Sequence, residues 1–249
     1  MKALITGASS GLGREIAKEL DKRGYELILV GRDKVKLEAV KNDSRKATVI
    51  ICDLANKEEA YRLYLKTKSQ NIDVLVNNAG FGLFGYFNET ELETEIKMLN
   101  VNVIAVHILT KLFLKDFVKR DSGYILNVAS AAGFMAGPYL STYYASKNYV
   151  LKLTTAVYEE LKRQKSKVHI SALCPGPTET NFNAVAGGEF KTKGASAEYV
   201  ATYAVNKMFK KKLIIIPTLK MKFSLFFQRF IPTKLLLKII YNIQKNKTS

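Results

Sequence analysis

Apolar residues fall along this chain in two recurring patterns. Short, mostly continuous runs at Ala3–Thr6, Leu27–Val30, Thr48–Ile51, Val74–Val76, Tyr124–Val128, Val168–Cys174 and Leu213–Ile216 have the length of strands covered on both faces. Between them the period lengthens to that of helices over Leu12–Arg23, Lys34–Val40, Lys57–Lys66, Thr94–Val118, Thr142–Gln164 and Ala197–Phe209. This alternation predicts βαβ units, whose right-handed crossovers build a doubly wound, parallel, Rossmann-like α/β sheet. With 249 residues, 47% of them hydrophobic, and no low-complexity linker, a single domain is expected. Thr178–Gly194 is the least periodic stretch and reads as a lid over a site or as a long surface loop.

The first strand runs into Thr6-Gly7-Ala8-Ser9-Ser10-Gly11-Leu12-Gly13, where a helix opens. Glycines there permit a tight turn and close approach of backbone to ligand, and the N–H groups of the helix start favour a pyrophosphate. The alternative, an ordinary strand-to-helix turn, does not need three glycines in that order. The second strand ends in Gly31-Arg32-Asp33. An acid just after this strand would bind the ribose hydroxyls of NAD. Glycine stands there instead, and the Arg32 guanidinium can grip a 2′-phosphate, which favours NADP(H). Arg14 is a candidate helper, and Asp33 reads as a cap for the next helix.

Tyr143 and Lys147 are four apart in a predicted helix, so they share a face. An ammonium near a phenol is expected to lower its pKa and make it a usable acid/base. Such a pair is common by chance, and its plain reading is an exposed helical pair. Tyr144 is adjacent but has no lysine at its fourth position. Ser130 follows the predicted strand Tyr124–Val128, and sites in parallel sheets form outside the carboxyl ends of strands. A hydroxyl there can hold a substrate carbonyl; alone, it would read as a loop or cap serine.

In this order the motifs resemble the short-chain dehydrogenase/reductase family, over roughly residues 1 to 217. Thr6–Gly13 resembles its Thr-Gly-x-x-x-Gly-x-Gly element, Asn77-Asn78-Ala79-Gly80 its Asn-Asn-Ala-Gly element, and Pro175-Gly176-Pro177-Thr178-Glu179-Thr180 its Pro-Gly segment beside nicotinamide. Asn102, Ser130, Tyr143 and Lys147 match its catalytic positions. The resemblance implies a proton exchanged between Tyr143 and the carbonyl, a lowered phenol pKa and ribose binding from Lys147, carbonyl orientation by Ser130, and a relay water held by Asn102. It implies cofactor contacts from Gly7, Ser9, Ser10, Gly11, Leu12, Gly13, Arg32, Asp53, Leu54, Asn78, Ala79, Gly80, Tyr143, Lys147, Pro175, Gly176, Thr178 and Thr180. Plainer readings make Asn102 a buried structural asparagine, Asp53 an N-cap for Lys57–Lys66, Asn77 structural, and His107 a packed or interface histidine.

Composition narrows the rest. Cys52 and Cys174 make no disulfide framework, and the two histidines, His107 and His169, lie far apart, so no metal site is expected. Neither a leader-like apolar stretch at the start nor a spanning run is present, and a cytoplasmic protein is the default expectation. The net charge is +17, and no Asp or Glu follows Glu198. Residues 1–217 are read as the dinucleotide-binding and catalytic part, and 218–249 as a basic amphipathic extension of the same domain. The extension is expected mainly to pack on the cleft or between subunits, with contact to a membrane surface as the lesser reading.

The function expected is hydride transfer to or from a hydrophobic or medium-sized small-molecule carbonyl or alcohol substrate, by a homodimer or homotetramer joined through Thr94–Val118 and Thr142–Gln164. Apolar residues Phe81, Phe84, Phe134, Met135 and Phe182 are expected near the substrate. The alternatives are a 3-oxoacyl carrier reductase, whose acidic partner the basic surface would suit, and a non-catalytic NADP-binding sensor or scaffold. Specific nucleic-acid binding has no recognition element in its favour.

Overall fold

The computed structural model describes residues 1–180, 182, 186 and 194–245. Seven parallel strands form one sheet: β1 (Lys2–Thr6), β2 (Glu26–Gly31), β3 (Ala47–Ile51), β4 (Ile72–Asn77), β5 (Tyr124–Val128), β6 (His169–Leu173) and β9 (Ile214–Ile215). Their order is β3-β2-β1-β4-β5-β6-β9. The direction of winding reverses between β1 and β4, and the crevice at such a switch point is where ligands bind in sheets of this kind. A two-stranded ribbon, β7 (Thr178–Glu179) with β8 (Ala195–Ser196), lies outside the sheet.

The helices are α1 (Gly11–Lys22), α2 (Lys34–Asn42), α3 (Lys57–Thr67), α4 (Leu92–Leu99), α5 (Val106–Lys119), α6 (Ser141–Arg163), α7 (Ala197–Phe209), α8 (Leu219–Phe227) and α9 (Thr233–Lys245). Successive strand residues face opposite sides. Thus Ala3, Ile5, Leu27 and Leu29 pack beneath α1, α2 and α7, while Leu4, Ile28, Val30 and Leu75 pack beneath α3, α5 and α6. Both sides are apolar because both are covered.

The seven strands of the sheet and the helices up to Phe209 fall close to where the pattern places them, with one exception of kind, and the ribbon β7–β8 and the helices α8 and α9 are added by the structure. The expected helix Thr94–Val118 is interrupted by a π-helical turn over Asn100–Ala105, between α4 and α5. Most of the Thr178–Gly194 stretch, read as a lid or loop, lies outside the described residues. Among the described residues, no helix is long and apolar enough to cross a membrane.

Candidate active site

The carboxyl ends of the strands open onto a cavity of about 570 Å³. It is lined at one end by the glycine loop, Gly31, Arg32, Asp53 and Leu54, and at the other by Ser130, Tyr143, Lys147 and the segment after β6. Every residue expected to touch a cofactor lines this one cavity.

The loop between β1 and α1 is shaped for something small and close. Gly7 has φ +65°, and a Cβ on Gly13 would collide with the Gly7 carbonyl and the Asn78 amide. Ser10 precedes α1 without capping it, and the first turn of α1 carries no acid, so its N–H groups remain available to an anion. The Asn78 amide, with bonds of 3.0 and 3.1 Å to the Thr6 and Gly7 carbonyls, ties this loop to the end of β4. Thr180 lies over it, its Cβ 3.2 Å from where a Cβ on Gly11 would be.

At the end of β2, Arg32 is 70% exposed and reaches Asp53 only at 4.0 Å. Asp33 caps α2, its carboxylate accepting from Lys36 N at 3.0 Å. Asp53 does not cap α3; Asn56 does, which leaves Asp53 at the cavity wall bonded to Ala55 N. Arg14 is absent from the lining, and its guanidinium pairs with Glu15 at 2.9 Å.

At the other end, Tyr143 and Lys147 project from α6 as their spacing requires. The Lys147 ammonium lies 5.8 Å from the Tyr143 ring centroid and donates to the Val128 carbonyl at 2.9 Å. The expected lowering of the phenol pKa is not what the folded chain produces. Burial among protein atoms pushes Tyr143 up to about 12, with the Ser130 hydroxyl pulling the other way. Burial likewise pushes Lys147 down to about 8. Desolvation wins because the lysine's nearest partner is a neutral carbonyl, not the phenol.

Asn102 stands behind the cavity wall, fully buried in the π-helical turn. Its side chain accepts from Phe81 N at 3.1 Å and donates to Phe81 O and Ser146 Oγ at 2.9 and 3.1 Å. It therefore fixes the backbone just beyond Gly80. Single π turns inside α-helices are frequent at functional sites. Asn77 is structural, donating to Thr110 and Asn127 inside the core. His107 is exposed and bonded to Tyr149 at 2.7 Å, neither packed in the core nor at the site.

Of the apolar residues expected near a substrate, Phe81, Met135 and Phe182 line the cavity; Phe84 and Phe134 do not. Phe84 stacks on Tyr139 instead, with centroids 5.3 Å apart. The structure adds Met221 from α8 and Ile240, Ile243 and Gln244 from α9. Gln244 donates to the Tyr144 hydroxyl at 2.7 Å, which separates the role of Tyr144 from that of Tyr143. The apolar side of the amphipathic extension, expected to pack on the cleft or between subunits, was the sequence signal for this wall.

The model of the short chain dehydrogenase family matches residues 1–189. An uncharacterized oxidoreductase of Staphylococcus saprophyticus is 35% identical over 72% of this chain and 78% of its own length. A very-long-chain 3-oxoacyl-CoA reductase of Anas platyrhynchos is 36% identical over 64% of this chain, and the match spans about half, 54%, of that relative. Among solved structures, a short-chain dehydrogenase from Sphingobium yanoikuyae in complex with NADPH has a TM-score of 0.82 at 28% identity, covering 88% of each chain. One from Burkholderia phymatum in complex with NAD has a TM-score of 0.82 at 23% identity over 90% of each, a likeness of fold alone. Strand order, the place of the cleft and the reach of the family match agree, and the chain belongs to the short-chain dehydrogenase family of oxidoreductases.

Proposed function

We propose that this chain is an NADP(H)-dependent oxidoreductase that transfers a hydride between nicotinamide and a carbonyl/hydroxyl substrate, with Tyr143 as the acid/base. The observation that carries this reading is that the uncapped glycine loop and the Ser130–Tyr143–Lys147 group open onto one cavity. The residues fit a dinucleotide: the loop has room only for glycine at position 13, and its donors suit a pyrophosphate. Arg32, with Gly31 rather than an acid at the last position of β2 and Asp33 engaged as the cap of α2, fits a 2′-phosphate. When bound, the nicotinamide supplies the hydride.

The polypeptide then does the rest. Tyr143, protonated at neutral pH because its pKa stands near 12, donates its proton to the carbonyl oxygen during reduction. Ser130 orients that oxygen. Lys147, with a pKa near 8, remains largely charged at neutral pH and steadies the phenolate left behind. Asn102 holds the Phe81 backbone and Ser146 around them. Thr178, Thr180, Pro175 and Gly176 close the nicotinamide end.

A narrower reading, a 3-oxoacyl carrier reductase, is favoured by a Rickettsia prowazekii relative named as a 3-oxoacyl-(acyl-carrier-protein) reductase, 33% identical over 70% of this chain and 71% of its own length, and by the +17 charge, which suits an acidic carrier. Two buried thiols without a disulfide between them fit a cytoplasmic setting. A homodimer or homotetramer through α5 and α6 is the assembly we expect; a clean monomer by light scattering overturns it.

The test is a paired titration of NADPH and NADH into wild type and Arg32→Ala, followed by turnover on ketones and 3-oxoacyl thioesters. NADPH should bind at least about tenfold more tightly than NADH, and Arg32→Ala should erase the difference. Tyr143→Phe should lower turnover by about a thousandfold. A folded chain that binds neither nucleotide sinks the reading.

A further inference from the structure

The cleft accounts for only one side of the two C-terminal helices. α8 packs inward through Leu225, which is buried, and Met221, which lines the cavity. Its opposite side presents Leu219, Phe223, Phe226 and Phe227, with Phe230 one turn on, all between 52 and 72% exposed. These positions are three and four residues apart, so they form one stripe. Phe226 meets Phe227 and Phe230 edge to face at 5.4 and 5.7 Å, making the patch continuous. On the helical wheel of α8, Lys220 borders this stripe on one side and Lys222, whose ammonium donates to the Tyr203 hydroxyl at 3.0 Å, on the other; Arg229 stands in the short turn that carries Phe230. α9 repeats the arrangement. Leu235, Ile239 and Ile243 form an exposed stripe, with Lys234 and Lys238 along its edge, while Ile240 and Gln244 face inward.

We propose that this outer face of α8 and α9 docks on an anionic lipid bilayer, lying in its surface rather than crossing it. An apolar stripe this large is costly in water, and contiguous exposed apolar patches mark interaction sites. A stripe of Phe and Leu bordered by Lys and Arg is the chemistry of a helix seated at the headgroup–acyl boundary. Charge chooses between lipid and a second copy of the chain. No Asp or Glu follows Glu198, so two such faces would bring cations against cations, whereas anionic headgroups complement them. Met221 and Ile243 line the cavity from these same helices, so docking sets the cleft mouth beside the lipid.

The full chain is sedimented with vesicles of phosphatidylcholine alone, and of phosphatidylcholine mixed with phosphatidylglycerol, at low and high salt. We expect binding to the mixed vesicles, little to the neutral ones, and weakening by salt. Phe226→Ser/Phe230→Ser and Lys220→Glu/Arg229→Glu, each with wild-type circular dichroism, should each weaken binding at least about tenfold. The proposal is overturned if wild type ignores anionic vesicles at low salt. It is overturned equally if the phenylalanine variant binds as well as wild type, since that is adsorption by charge alone. A wild-type dimer that this variant turns into a monomer, with no lipid binding, assigns the face to a second copy. Sedimentation needs no turnover, so its outcome is independent of the catalytic reading.

Discussion

At the scale of single residues, Lys147 carries the sharpest electrostatic conflict. Its ammonium is buried, with the Val128 carbonyl as its hydrogen-bond acceptor. The ordinary lysine keeps its proton to pH 10.5, while the folded chain releases it near pH 8. Between these values the unfolded chain binds more protons, so the lysine's contribution to stability rises with pH. Below pH 8 the charge is buried at full cost. In the cofactor-free protein, Lys147→Met should therefore gain most relative to wild type below pH 8. That relative gain should shrink by about 3 kcal/mol as pH approaches 10.5. Tyr143 works in the opposite sense, because its pKa is raised and stability falls as pH climbs from 10 towards 12. The difference between wild type and variant in urea unfolding cancels that contribution. A pH-independent difference would show that burial is not what shifts the lysine.

At the scale of elements, the sheet is aligned by a buried polar chain. Asn77 of β4 and Asn127 of β5 are register partners. The Asn77 amide donates to Asn127 at 2.9 Å and to Thr110 of α5 at 3.0 Å, and Asn127 donates to Thr154 of α6 at 3.0 Å. Four elements are thus locked just below the site. Asn127→Ala leaves several of these groups unpaired and should cost about 3 kcal/mol in urea unfolding. A loss below about 0.5 kcal/mol would mean that the chain of bonds aligns nothing. The start of α2 was legible because caps act locally and Asp33 holds Lys36 N, whereas at α3 the cap is Asn56 and not the expected Asp53. The π turn was not legible. The 3.6-residue period runs through Asn100–Ala105 almost undisturbed, and the bonds Asn102 makes from this turn go to Phe81, a partner 21 residues away.

At the scale of the whole molecule, the substrate end of the cavity is closed by the extension after Pro217. Ile240 is 6% exposed and forms part of that wall. Ile240→Asp places a charge there and should raise KM for apolar ketones about tenfold, leaving the NADPH Kd within about twofold. Parallel weakening of NADPH binding would put α9 on the nucleotide half instead. The boundary near residue 217 is thus a proposed division of labour: the nucleotide on one part, substrate selection on both.

By itself the sequence determined what depends on neighbours in the chain. Strand and helix placement, the glycine loop, the Gly31–Arg32 step and the Tyr143–Lys147 pair are all set by spacings of a few residues. Family membership followed from their order. Only the tertiary structure decided the quantities that depend on surroundings. Burial reversed the expected direction of the Tyr143 pKa, and packing placed Met221, Ile240 and Gln244 in the cavity wall. It also moved Phe84 and Phe134 out of that wall. Desolvation and contact arise between segments far apart in sequence, and no local pattern of residues encodes them.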